Sequence, residues 1–281
     1  MEENLEKIRD SQKETWNKFS PGWKKWDHIT MDFLKPMGDK IISLIKPKDN
    51  EVILDIAAGT GEPGLTIASM IPNGKVVITD LAGGMLEVAK ENASKKNLKN
   101  VEMKTCDVCE LPFEDNTFDA ISCRMGFMFF PDMFMAAKEM ARVLKPGGRI
   151  AASVWDGPEK NFWVAAAMGT IKKYVDIPIP PPLAPGMFRC SAKGCMSYIF
   201  KQAGLKNISE TEVESKLNAG STDVYWTMTT EVAAPVVGGL SKADDATKEK
   251  IKKEVIDLIL QKYPEGKVNI DAYSTVIYGE K

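Results

Sequence analysis

Histidine is nearly missing from this chain: 281 residues contain one, His28. Cysteine is scarce and odd in number, with five residues. An odd set cannot close into a complete disulfide framework and fits reduced thiols, so a cytoplasmic setting is expected. Cys106-x-x-Cys109 has the spacing of half a zinc site, but no second pair and no neighbouring histidine completes four ligands, so no metal is expected. An excess of either charge is also missing. Lys and Arg number 37 against 39 Asp and Glu, a net charge of −2, and no basic block stands out. The electrostatic footprint of a nucleic-acid binder is therefore absent. No apolar run approaches the length of a membrane span, and the N-terminal stretch reads as charged helix rather than a secretory signal. Neither repeats nor low-complexity tracts are evident. The length suits one large domain, or one domain with a lid, and leaves the oligomeric state open.

What is present is concentrated in Val52-Ile53-Leu54-Asp55-Ile56-Ala57-Ala58-Gly59-Thr60-Gly61-Glu62-Pro63-Gly64. A short β-branched run ends in a glycine-rich turn, and Leu65–Met70 then reads as helix. Strand, tight turn and helix in that order form a nucleotide-binding corner at the carboxyl end of a parallel strand. Glycines let a ligand approach the backbone, and a helix starting near Glu62-Pro63 is expected to turn unpaired N–H groups towards the site. Gly59, Gly61 and Gly64 satisfy G-x-G-x-x-G, which alone would admit NAD. Asp55 argues otherwise: a carboxylate at the strand tip suits a ligand with a cationic amino acid end better than a pyrophosphate.

Asp55-x-Ala57-x-Gly59-x-Gly61 resembles motif I of the class I S-adenosylmethionine (SAM)-dependent methyltransferases, with Ala57 in place of the usual first glycine. Further motifs follow in the order that resemblance requires. Val76–Asp80 reads as a buried strand ending in a carboxylate. In the family Asp80 would accept from the ribose hydroxyls, and Leu81 or Met85 would pack on the adenine. Asp107 would accept from the adenine amino group while the Val108 N–H reaches a ring nitrogen. Phe118–Arg124 looks like the fourth strand, with Arg124 beside the cofactor. Arg142–Ile150 reads as helix end, Pro-Gly-Gly turn and fifth strand. The resemblance covers roughly residues 30–155 and is closest to the branch with the ubiquinone and menaquinone C-methyltransferases. It implies an α/β, Rossmann-like doubly wound sheet of seven strands, the last antiparallel, with SAM as cofactor and S-adenosylhomocysteine (SAH) as product.

The organisation expected is a helical lid over 1–46, a SAM-binding core over 47–156, and a remainder over 157–281. The lid reads as two helices broken at Ser20-Pro21-Gly22. Ile177–Gly186, rich in proline, reads as an extended surface loop. Helix 191–203 and strand 206–217 resume the fold. A helical cap insertion at about 221–262 carries the stripe Ile251, Val255, Leu258 and Ile259, and 268–278 is the final strand.

Lid, loop and cap would crowd above the strand ends, and their composition hints at the methyl acceptor. Trp23, Trp26, Met125, Phe127, Met187, Tyr225 and Trp226 are candidate pocket residues. Aromatic and methionine-lined cavities favour apolar or planar ligands. Cys123-Arg124-Met125-Gly126 stands where amide and adenine methylases of the family carry an Asn/Asp-Pro-Pro-Tyr/Phe turn, which leaves an oxygen or carbon nucleophile on a small molecule as the expectation. Methyl transfer mostly needs alignment, with a base only if the acceptor must lose a proton. His28 is the candidate base, with Tyr225, Asp27 and Arg124 behind it. Val154-Trp155-Asp156 departs from the Glu-x-Ser ending of the quinone enzymes. The alternatives are an NAD(P)-dependent oxidoreductase and a non-catalytic SAM-binding protein.

Overall fold

The computed structural model describes residues 2–178, 181 and 184–281. Ile179, Pro180, Pro182 and Leu183 of the expected proline-rich loop lie outside the described residues. The apolar runs become the inner strands of one sheet: β1 (Val52–Ile56), β2 (Lys75–Asp80), β3 (Val101–Thr105), β4 (Phe118–Arg124), β5 (Leu144–Trp155), β6 (Lys206–Gly220) and β7 (Val268–Glu280). Their spatial order is β3-β2-β1-β4-β5-β7-β6. The first five run parallel, and β7 inserts antiparallel to both β5 and β6.

Side chains alternate across the sheet, so each inner strand feeds two cores. Ile53, Val76, Ile78, Ala120 and Ala151 face one core, closed by helices α3 (Gly64–Met70) and α4 (Gly83–Lys95). Leu54, Ile56, Val77, Ile121 and Ala152 face the other, closed by α5 (Met133–Val143), α6 (Phe162–Tyr174) and α7 (Cys195–Gln202). Asp132 caps α5 by accepting from Phe134 N and Met135 N at 2.9 and 3.0 Å, the usual way an aspartate satisfies first-turn donors. The cap over 221–262 is helical as expected, in α8 (Thr222–Val232), α9 (Ala234–Leu240) and α10 (Asp245–Lys262), and buries Ile251, Val255 and Ile259.

Four expectations change. The N-terminal helix α1 (Glu2–Lys25) runs through Pro21, and the break falls at Trp26, before α2 (Asp27–Ile45). Pro21 has no N–H for the Asn17 carbonyl, and Ser20 Oγ donates to that oxygen instead, at 2.9 Å. Only α1 has the character of a cover. α2 buries Phe33, Leu34 and Met37 in one core and Ile41 and Ile45 in the other, so it belongs to the core. Pro146-Gly147-Gly148 is a bulge within β5 rather than a turn before it: pairing with β4 shifts between Phe118 and Ala120, and Gly147 sits at φ 74°. The helix expected over 191–203 is shorter, starting at Cys195.

Candidate active site

The turn after β1 is held by its own backbone and by two aspartates. Ala57, Gly59 and Gly61 all have positive φ, at 53°, 57° and 110°. Ala57 adopts this left-handed geometry despite its Cβ, whose place is left open by Gly126: a Cβ there would come 2.8 Å from that of Ala57. Asp80, at the tip of β2, accepts from Gly59 N through Oδ2 at 2.9 Å and from Ala82 N through Oδ1 at 2.8 Å. Burial pushes its pKa up, against the N–H groups of Ala82, Gly59 and Leu81.

Asp55 and the start of α3 differ from expectation. Asp55 is fully buried behind the turn. Its Oδ2 accepts from Gly64 N at 2.8 Å, and its Oδ1 from Ser122 Oγ at 2.6 Å. Burial pushes its pKa up to about 7, opposed by the Ser122 and Gly64 hydrogen bonds. It shapes the turn and does not line the cleft above it. The first-turn donors of α3 are occupied from within: Gly64 N by Asp55, Leu65 N by Gly61 O, Thr66 N by Glu62 Oε2 and Ile67 N by Pro63 O. The open N-terminus on which a pyrophosphate sits is filled.

Above the strand tips lies a cleft of about 910 Å³, mouth included, walled in part by Ala57, Gly59, Thr60, Asp80, Leu81, Met85, Asp107, Val108, Arg124 and Met125. Gly61 lies beneath it, donating to Ala58 O at 2.9 Å. Sheet order places the polar groups in a row: Asp107 after β3, Asp80 on β2, the turn after β1, Arg124 on β4. At the usual strand spacing the row is ~14 Å long. Asp80 and Asp107 are the only carboxylates, and Arg124 the only cation, among the described residues of the wall. Arg124 Nη2 lies 3.2 Å from Met31 Sδ, and burial lowers the guanidinium pKa against the fields of Glu62, Asp55 and Asp27. A buried cation without a carboxylate at hand suits an anionic group on a ligand. Cys106 also lines the cleft, and burial pushes its thiol up to about 11, so it is protonated at neutral pH.

A second chamber of about 620 Å³, mouth included, adjoins the first and shares Trp16, Trp23, Leu34, Met125 and Phe129 with it. Beyond these it is walled by Phe33, Trp155, Trp163, Met187 and Met228, with Val232–Pro235 from the cap. Met125 stands between the two at φ 58°, a strained geometry of the kind that clusters at ligand sites. Of the expected pocket residues, Trp23, Met125 and Met187 wall the chamber. Four do not. Phe127 is buried in the core against Phe130 and Phe200. Tyr225 is buried and donates to Trp163 O at 2.6 Å. Trp226 packs half-buried on the core, and Trp26 donates to Glu231 Oε2 at 2.7 Å, tying α2's entry to the cap. Trp155 and Trp163 were missed: Trp155 is the end of β5, where ligand-facing residues collect in such sheets, and Trp163 lies on α6, which carried no motif.

His28 is exposed and walls neither space, so the structure does not bring it to the site. Asp27 is half-buried beside Thr60, with burial pushing its pKa up; it too walls neither space. Among the described residues no group of three His, Cys, Asp or Glu is placed to hold a metal, and no helix is long and apolar enough to cross a membrane.

Fold and site together define a seven-stranded α/β sheet whose cleft is lined by polar groups along four neighbouring strand tips. Residues 53–148 match the family model described as a methyltransferase domain. The demethylmenaquinone methyltransferase of Listeria monocytogenes is 31% identical over 150 residues, 53% of this chain and 63% of that enzyme. The chain thus spans less than two thirds of the curated relatives it matches. Among solved structures, the YcgJ protein of Bacillus subtilis is similar with a TM-score of 0.58 and 21% identity, over 87% of this chain and 97% of that one. Haemonchus contortus phosphoethanolamine N-methyltransferase 2, bound to phosphomonomethylethanolamine and SAH, gives 0.59 at 18% identity, over 98% of this chain and 60% of that one. The match over residues 53–148 is to a methyltransferase domain, and the fold of the whole sheet is the one these solved structures share.

Proposed function

We propose that this chain transfers the methyl group of SAM to an oxygen or carbon of a small, apolar or aromatic molecule. The observation that carries the reading is the row Asp107, Asp80, turn, Arg124 above a helix whose first N–H groups are already bonded. It offers acceptors for adenine and ribose, close backbone for the homocysteine chain and a cation for its carboxylate, and no open helix N-terminus for a pyrophosphate. The NAD(P) reading loses its phosphate site by the same observation. In this reading Asp107 and the Val108 N–H hold the adenine, Asp80 the ribose, and Leu81 and Met85 the ring face. Arg124 holds the carboxylate. The methyl group then faces the adjoining chamber, and the protein's part is alignment and exclusion of water.

The names of the curated relatives point to a quinol acceptor, and the aromatic chamber accommodates that class. Transfer of label from methyl-labelled SAM to phenols, quinols including demethylmenaquinol, and sugars tests the reading. Labelled product from an aromatic acceptor is expected. SAH binding with no transfer to any of them would leave the non-catalytic alternative.

A further inference from the structure

Two of the residues that wall the second chamber carry buried hydrogen-bond donors with nothing to donate to. Trp23 Nε1 and Trp163 Nε1 are buried and lack partners among the described residues, and both rings wall the chamber. Trp163 is 6% exposed. Its ring is fixed 5.4 Å from Trp155 and 5.2 Å from Phe33, and that of Trp23 lies 6.3 Å from Trp16. An indole N–H can only donate. A buried donor without an acceptor has lost its water for no return, which folded proteins seldom tolerate once, let alone twice around one space.

The rest of the wall is hydrocarbon, aromatic ring and thioether. Its one hydroxyl, Thr30 Oγ1, donates within its own helix end, to Trp26 O at 3.1 Å. No titratable side chain is among the described residues of this wall. A neutral phenol entering here would meet two donors and no group to take its proton.

We infer, on the methyltransferase reading above, that this chamber takes a planar aromatic acceptor as a phenolate-type anion, its ring oxygen held by the Trp23 and Trp163 indole N–H groups. The proton leaves to solvent before entry. An electron pair of the anion forms the bond to the methyl carbon, and the methyl–sulfur pair stays on sulfur, turning sulfonium into thioether. At oxygen the product is an aryl methyl ether. At a ring carbon ortho or para to that oxygen the product is a neutral dienone, whose ring proton moves to the oxygen and restores the phenol. Neither course needs a protein base. Cation and anion both vanish in the transfer, and an apolar chamber favours loss of charge.

The test titrates SAH-saturated protein with 4-nitrophenol, and with nitrobenzene as the probe lacking the oxygen. The pH is set below the phenol's ionisation midpoint in water. The bound phenol is expected to show the phenolate absorption band, and nitrobenzene to bind about tenfold more weakly or worse. Trp163→Phe and Trp23→Phe keep the ring and remove the donor. Each should weaken nitrophenolate binding about five- to tenfold while leaving nitrobenzene unchanged, and Trp163→Phe, at a residue that walls only the second chamber, should leave SAH unchanged too; a merely packing role would move both probes together. A neutral bound phenol, unchanged variants, or no saturable binding of either probe to protein that binds SAH overturns the inference. Should Trp163→Phe fail to fold, the wild-type spectrum and Trp23→Phe decide. Failure of SAH itself to bind would overturn the methyltransferase reading instead.

Discussion

Asp55 Oδ2 accepts the Gly64 N–H at 2.8 Å, and a Cβ on Gly64 would come 2.7 Å from that same oxygen. The carboxyl behind β1 thus plugs the start of α3, and only glycine fits at the plug. Gly64→Ala would also press on Ile78, 3.0 Å away. We expect it to destabilise the fold by about 1–3 kcal/mol and to weaken SAH binding, read by urea unfolding and calorimetry. Unchanged stability would show that the turn relaxes freely.

The same carboxyl makes stability depend on pH. Its folded pKa of about 7 lies above the ordinary value of 3.8. Between the two, the folded chain keeps a proton that the unfolded chain has released. The stabilisation is therefore complete at low pH and lost as pH rises towards 7. Asp55→Asn still offers an oxygen to Gly64 and cannot ionise. Relative to wild type it should gain stability between pH 5 and pH 8, by at most about 3 kcal/mol. Parallel urea midpoints across that range would contradict the assignment.

Asp80 has two jobs, since it also ties Gly59 and Ala82 in place. Asp80→Ala should lower SAH affinity by about 1.5–3 kcal/mol per lost ligand hydrogen bond and lower Tm as well. Asp107→Ala should cost less affinity, because the Val108 N–H remains. A larger loss at Asp107 would reverse the two roles.

The cover is latched at Glu231, which accepts from Trp26 Nε1 at 2.7 Å and from Lys25 Nζ at 2.8 Å. Glu231→Ala should loosen α1 from the cap and enlarge the tryptophan fluorescence change on adding SAH. His28→Ala, at an exposed position, should keep full activity from pH 6 to 9. A large loss of activity in His28→Ala would bring His28 back to the site.

The lining of the first cleft was legible because each motif sits where a strand ends, and strand tips follow directly from short β-branched runs. Asp80, Asp107, Val108 and Arg124 fall together for that reason. Asp55 was legible as important but not in its orientation: a strand residue faces one side or the other, and the plug on Gly64 N depends on the helix that follows. The acceptor side was half-hidden. Trp23, Met125 and Met187 reach the chamber, while Phe127 and Tyr225 turn into the core, and aromatic content alone does not say which way a ring points. Trp163 needed the packing of α6 against Phe33 and Trp155, a long-range contact with no local signature.

Calorimetric titration of the intact chain with SAH and, separately, with NAD tests the central claim most directly. The account predicts one saturable SAH site per chain, weakened by Asp80→Ala, and no heat of binding from NAD. Saturable NAD binding, with none for SAH, would contradict it.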